Sequence, residues 1–287
     1  MTEATFRLAC VQVNASDDMA ANIAAAEGFA RAAASAGATL IAFPENVAFM
    51  APDGKGVRAA ARPEDSHPAL ARFRALAREL KVWFLVGSLG ISGVTDEAGT
   101  DDGRIANRSF VIDATGAVVA RYDKIHMFDV QLAGGESYRE SETFRPGGRA
   151  ALVATPFGCL GLTICYDLRF PYLYRALAKA GAELIAVPAA FTRTTGTAHW
   201  HTLLRARAIE TGAYIFAPAQ CGTHPRGRQT YGHALIVNPW GEVIADGGEE
   251  PGFVIADIDL AMVARVRAQI PSLAHDREVE PPARLSI

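Results

Sequence analysis

A-G-A-T-L-I-A-F-P, residues 36–44, returns almost letter for letter as A-G-A-E-L-I-A-V-P at 180–188. Each copy follows an Ala-rich run with helical spacing, 19–36 before the first and 171–180 before the second. Gly37 and Gly181 stand just past those runs. Glycine suits that place because it enters the left-handed region, which ends many helices, without a Cβ clash. The apolar residues that follow, closed by a proline, read as a buried strand. Two explanations are open. Strand–helix–strand units converge on such a pattern, or the chain carries an internal pseudo-twofold with two related sheets packed together.

Outward from these two stretches the same alternation continues. β-rich runs fall at 6–13, 38–43, 82–87, 105–112, 160–165, 183–187, 214–218, 233–237 and 252–258. Helical patterns fall at 19–36, 68–80, 171–180, 198–212 and 260–268. Strands interleaved with helices of this length predict an α/β layered fold. No linker divides the chain, so residues 1–287 are expected to form a single domain. The segment from about 270 to 287, with Pro281-Pro282, is expected to lie extended across the body or a partner subunit. The polar stretch 91–103 reads as a solvent loop within a hairpin. The glycine-rich stretch 129–148 reads as a longer, ordered excursion of the kind that is often functional.

Composition narrows the function classes. With 287 residues and 50% hydrophobic content, a domain can bury roughly 75% of its unfolded surface and needs no disulfide or metal to hold a core. The net charge is -3 and no Lys/Arg block or basic amphipathic helix occurs, which argues against nucleic-acid and membrane-surface partners. No apolar run approaches the roughly 20 residues of a membrane span. The first residues show no charged and then apolar leader, so the cytoplasm is the expected compartment. Four cysteines without a C-x-x-C pair argue against a disulfide framework and a cysteine zinc site. Among seven histidines only His199 and His201 are close, and their i,i+2 spacing points away from one helix face. No metal and no cofactor are expected.

Three fragments carry the chemistry. In G-C-L-G-L-T-I-C-Y-D-L-R-F-P (158–171) an apolar strand runs into Cys165 just before a helix, where α/β folds place their clefts. A strand cysteine is otherwise a small buried hydrophobe by habit. In L-I-A-F-P-E-N (40–46) Glu45 stands at a strand tip. It is either a solvated cap or a general base whose pKa burial would raise. In A-R-Y-D-K-I-H-M-F-D (120–129) Lys124 follows a strand. It is either a surface lysine or a fixed cation for an oxyanion. Taken together, the three supply a nucleophile, a base and an electrophile for acyl transfer from an amide.

These fragments also carry a resemblance. F-P-E-N at 43–46, Y-D-K-I-H-M-F-D at 122–129 and C-Y-D-L-R-F-P at 165–171 resemble, in order and end to end, the nitrilase superfamily of carbon–nitrogen hydrolases. P-A-Q-C-G-T-H at 218–224, Y-G-H at 231–233 and N-P-W-G at 238–241 resemble most closely its branch of omega-amidases and deaminated-glutathione amidases. The resemblance implies an α-β-β-α sandwich that continues across a homodimer or higher oligomer. It implies a catalytic Glu45–Lys124–Cys165 triad, with the Tyr166 backbone N–H at the oxyanion. It also implies a second glutamate near the lysine, for which Glu140 is chosen over the nearby Glu136 and Glu142. Arg169 is either a clamp for a substrate carboxylate or the partner of Asp167 or another buried acid. Arg207 and Glu210 are expected to pair on a helix, and Cys221 to form part of the pocket wall. Where most relatives have Glu after the F-P pair, this chain has Tyr172.

The implied activity is cysteine-dependent hydrolysis of a non-peptide amide in a small carboxylated substrate through a thioester, releasing ammonia or an amine. Other enzymatic readings are an N-carbamoyl amino acid amidohydrolase, an aliphatic amidase, or a Cys–His hydrolase using His126 or His199. A catalytically silent scaffold of the same fold is the reading from another class.

Overall fold

The computed structural model describes residues 5–51, 53–95, 98–132 and 135–282. The chain opens on β1 (Thr5–Val13) and crosses through α1 (Met19–Ser35) to β2 (Leu40–Ala42). It continues through α2 (Gly54–Ala60), α3 (Pro68–Leu80), β3 (Trp83–Ile91), β4 (Ala106–Ile112) and β5 (Val118–Asp123). A hairpin of β6 (Asp129–Gln131) and β7 (Ser137–Arg139) leads to β8 (Ala151–Thr155) and β9 (Gly158–Leu162). After α4 (Pro171–Lys179), β10 (Leu184–Ala186) and α5 (Arg193–Thr211) come β11 (Tyr214–Ala217), β12 (Ala219–Thr223) and β13 (Gln229–Tyr231). The last elements are β14 (Leu235–Val237), β15 (Val243–Asp246), β16 (Gly252–Asp259) and α6 (Ala261–Gln269).

Two sheets result. One has the order β13-β12-β1-β2-β3-β4-β5, with β16 antiparallel along β1, and the other the order β15-β14-β11-β10-β9-β8. The two echoing stretches settle the pseudo-twofold. Each supplies the three-residue strand L-I-A at the centre of a parallel triplet, β1-β2-β3 in one sheet and β9-β10-β11 in the other. Gly37 and Gly181 take φ of 89° and 103°, the left-handed exits their positions predict.

Strand alternation sorts the core. Leu8, Cys10, Leu40 and Ala42 point from the first sheet to the second, meeting Leu160, Leu162, Leu184 and Ala186. The intervening Ala9, Val11, Ile41 and Phe43 point outward to Ala26, Ala30 and Ala33 of α1 and Phe73 of α3. On the other side α4 and α5 bring Leu173, Leu177, Trp200 and Leu204 against the second sheet. The outcome is the α-β-β-α sandwich. Among the described residues, no helix is long and apolar enough to cross a membrane.

Some local expectations change. The strand expected at 160–165 ends at Leu162, because Cys165 turns into the left-handed region at φ 49°. The helix expected from 198 begins at Arg193. Helix α2 was hidden by Gly54 and Gly56, yet Asp53 caps it by accepting from the Gly56 N–H at 2.8 Å. The C-terminal segment first turns at Pro271 and then runs without regular structure to 282. Asp276 ties it to this chain's own α4 through Arg175 and Lys179, each at 3.0 Å, and residues 283–287 lie outside the described ones.

Candidate active site

The site sits where the two twin strands end. Gly87 of β3 is the contact point, since a Cβ there would lie 2.1 Å from the Phe43 carbonyl oxygen and 2.5 Å from the Pro188 ring. Only glycine lets the two strand ends approach so closely. Directly beyond them Glu45, Lys124 and Cys165 meet, with relative exposures of 3%, 1% and 8%. Lys124 Nζ is 2.9 Å from Glu45 Oε1 and 2.8 Å from both oxygens of Glu140. Of the three acidic candidates in the 136–142 segment, Glu140 is therefore the one on the lysine. Glu136 bonds Tyr138 and Thr194 instead, and Glu142 accepts from Arg58 only through its backbone oxygen.

Fixed donors hold the carboxylates. Glu45 Oε2 accepts from the Ala190 N–H at 2.9 Å, and Oε1 from Asn107 Nδ2 at 2.9 Å. Glu140 Oε2 accepts from the Phe128 N–H at 2.6 Å. Asn107 was not anticipated; its β4 stretch, A-N-R-S-F-V-I, is polar from 107 to 109 and sets no amide apart. The Cys165 N–H donates to the Pro188 carbonyl at 3.0 Å. The next amide along, that of Tyr166, has no hydrogen-bond partner among the described residues.

Charge in the site departs from expectation in one respect. Burial opposes charge on Glu45, but Lys124, the hydrogen-bonded Cys165 thiol and the Ala190 N–H outweigh it and hold the carboxyl below the usual range. The expected upward shift is overturned because burial came with a cation attached. Burial likewise opposes charge on Lys124, and the flanking Glu140 and Glu45 outweigh it, keeping the ammonium above its ordinary value. Burial and the Glu45 charge push the Cys165 thiol well up. One ammonium between two carboxylates already leaves a net negative cluster, so a thiolate beside it is disfavoured.

A cavity of about 510 Å³ opens onto these groups. Besides Lys124, five cations line it: Lys55, Arg58, Arg139, Arg226 and Arg228. Arg226 pairs with Asp53 at 3.1 Å. The other four have no carboxylate at ion-pair distance among the described residues. Arg228 is half-buried beside the Tyr138 ring, gives Nη2 to the Ala190 carbonyl at 3.2 Å, and has a buried Nε without a partner.

Residues 7–268 match the family of carbon-nitrogen hydrolases. The chain belongs to that family. As a carbon–nitrogen hydrolase it is an enzyme acting on C–N bonds other than peptide bonds. It is 41% identical over 270 residues to the deaminated glutathione amidase of Synechocystis, covering 93% of this chain and 96% of that protein. The crystal structure of the C. elegans NitFhit protein superposes with a TM-score of 0.86 at 36% identity, over 96% of this chain and 66% of that one. A mutant amidase from Nesterenkonia sp. AN1, carrying an acetamide moiety on its active-site cysteine, matches at TM-score 0.76 and 26% identity, over 93% of this chain and 95% of that one.

Within this hydrolase several expected neighbours of the site lie elsewhere. Arg169 is behind the cavity wall rather than on it, stacked over Phe191 and Tyr166 at 5.1 and 5.8 Å and reaching His199 Nδ1 at 3.3 Å. Nor does it pair with Asp167, which takes Tyr122, His126 and the Ile164 N–H. Tyr166 itself does line the cavity. Cys221 is fully buried in β12 and off the wall. His126 is engaged by Asp167 and Tyr172, both at 2.6 Å, and neither it nor His199 faces the cavity. Arg207 and Glu210 pair at 2.9 Å on α5, as their spacing predicts.

Proposed function

We propose that this hydrolase cleaves the amide of a small carboxylated substrate, deaminated glutathione or 2-oxoglutaramate, through a thioester on Cys165. The observation that carries the reading is a Glu45–Lys124–Glu140 chain, buried at Glu45 and Lys124 and hydrogen-bonded to Cys165, in a cavity with four cations unpaired among the described residues.

The steps follow from the resting charges. The thiol proton passes to Glu45 as sulfur attacks the amide carbon, so no free thiolate forms. The new oxyanion faces the Lys124 ammonium and the Tyr166 N–H. On collapse the C–N bond breaks and Glu45 returns its proton to the leaving nitrogen, which departs as ammonia or an amine. Water then attacks the thioester, giving its proton to Glu45, and the thiol is restored as the acid product leaves. Glu140 touches no reacting atom in this scheme. It positions Lys124. The substrate carboxylate meets Arg228, whose unpartnered Nε and planar fork suit it, with Arg58, Arg139 and Lys55 nearer the mouth.

The working unit in this reading is one domain over residues 1–287, paired as a homodimer. Exposed Ile209, Trp240 and Ile270 around a groove of about 360 Å³ support the pairing. The cytoplasm is its compartment, in keeping with four free cysteines. A panel of small amides, ureido acids and nitriles, with and without a carboxylate, tests the function by free amine or ammonia release against a Cys165→Ala blank. The expected result is turnover of carboxylated amides. Turnover confined to N-carbamoyl amino acids or uncharged aliphatic amides would replace the substrate assignment, and no turnover of any of them would sink the mechanism.

A further inference from the structure

Away from the cavity, three side chains from three separate elements converge. His201 stands on α5, His233 in the turn between β13 and β14, and Asp246 at the end of β15. One ligating atom from each lies within 4.8 Å of the other two. His201 Nε2 is 3.0 Å from Asp246 Oδ2, and His233 Nδ1 is 2.9 Å from Asp246 Oδ1. One carboxylate thus spans two imidazoles. The expectation that the histidines form no cluster fails here, because His233 and Asp246 reach His201 only through the fold.

The arrangement is braced from outside itself. The Gly248 N–H donates to Asp246 Oδ1 at 2.9 Å and aims the carboxylate. His233 takes the left-handed region at φ 53°, a conformation kept only where the surroundings impose it. Its N–H donates to the Gly248 carbonyl at 2.6 Å, and its own carbonyl accepts from Trp200 Nε1 at 2.8 Å. The Tyr231 ring stacks on it at 4.4 Å. His201 and His233 are half-buried and Asp246 is exposed, so an ion could enter from solvent.

We propose that His201, His233 and Asp246 form a binding site for a zinc-like divalent transition-metal ion. Two imidazole nitrogens and a carboxylate are the donors such ions take. Calcium and magnesium require oxygen ligands throughout. Zinc bonds nitrogen and oxygen at about 2.0–2.2 Å, which puts tetrahedral ligands about 3.4 Å apart. With either carboxylate oxygen as the ligand, one separation is already near that figure and the others lie within 4.8 Å, a gap that rotation of the half-buried rings and of the exposed carboxylate closes. The protons balance through a tautomer shift. His201 moves its proton from Nε2 to Nδ1 and His233 from Nδ1 to Nε2. Neither receiving nitrogen has a protein partner among the described residues, so both can face water. The fourth position is open to water, and the ion ties α5 to the second sheet. Its role is structural, since none of the three ligands lines the cavity.

The test is zinc titration calorimetry and cobalt absorption on the full chain in a Cys165→Ala background, which removes the reactive thiol as a competing ligand. The expected result is one equivalent of zinc and a cobalt spectrum with d–d bands but no thiolate charge-transfer band. His201→Ala and Asp246→Asn should each weaken binding by about tenfold or more, since loss of even an outer-shell partner costs that much. Zinc should raise the melting temperature of the parent protein and not of either variant. His201 lies outside the proposed machinery, so the single variant His201→Ala should keep amidase turnover, which checks its folding. No uptake at millimolar zinc, undiminished binding in both variants, or a thiolate band would each overturn the site.

Discussion

Pro44 and Pro188 close two copies of one strand, and the residues after them diverge. After Pro44 comes Glu45, a carboxylate aimed at the thiol. After Pro188 come Ala189 and Ala190, which offer only backbone. The second copy is not idle. Its Pro188 carbonyl holds the Cys165 N–H, and its Ala190 N–H holds Glu45 Oε2. In the proposed mechanism the duplicated strand ends divide the labour, one giving a side chain that moves protons and the other giving fixed dipoles. A backbone dipole survives any side-chain substitution except one to proline, so fragility should concentrate on the Glu45 side.

Breaking that side should have the largest effect. Glu45→Gln keeps the shape and the Ala190 hydrogen bond but cannot carry the proton, so kcat should fall by about 10²–10⁴. His126→Ala should leave kcat within a few-fold, and the opposite pair of results would favour a Cys–His mechanism. Next is Lys124→Ala, expected to lower kcat by about 10²–10³. It also leaves the buried Glu45 and the half-buried Glu140 without their cation, so thermal stability should drop with it. Normal kcat with only a raised KM would remove the lysine from the oxyanion. Arg228→Gln should raise KM for carboxylated amides by about 10–100-fold, the worth of a hydrogen bond to a charged group, and leave uncharged amides unaffected.

Smaller effects sharpen the comparison at its seam. Gly87→Ala drives a methyl between the two strand ends and should destabilise the fold by about 1–3 kcal/mol, read as a lowered melting temperature. The pH profile of kcat/KM should change least. Because Glu45 is held below the usual carboxylate range, it remains ionised as pH falls through about 4.3, and activity is lost only below that. The matching stability is likewise present above that pH and lost as Glu45 takes up its proton. On the alkaline side Lys124, held above its ordinary value, should hold its charge beyond about pH 10.4. A tenfold rise per pH unit approaching about pH 8.5, where an unperturbed thiol ionises, would show attack by a preformed thiolate.

The fold was legible because its signals are local. Ala-rich helices ended by Gly37 and Gly181, and L-I-A strands ended by proline, each declare themselves within ten residues. Glu45, Lys124 and Cys165 each stand in one of three ordered motifs, and the structure brings all three together with Glu140, the glutamate chosen from the resemblance. What escaped depends on distance. Asn107 and Arg228 matter because of groups more than thirty residues away, and nothing beside them in the chain marks that. The pKa direction of Glu45 could not be read from its apolar neighbours, since the deciding charge is on Lys124, just past the end of β5. Arg169 misled for the converse reason. Proximity to Cys165 in the chain did not place it on the cavity side of Tyr166.

The protonated thiol has a consequence outside catalysis. Peroxides and other cellular oxidants react with thiolates far faster than with thiols. If Cys165 is the nucleophile proposed, a thiol held protonated at rest gives such oxidants little to react with between turnovers. On the proposed mechanism, the negative cluster around Cys165 would thus also shield its sulfur from oxidation until a substrate arrives.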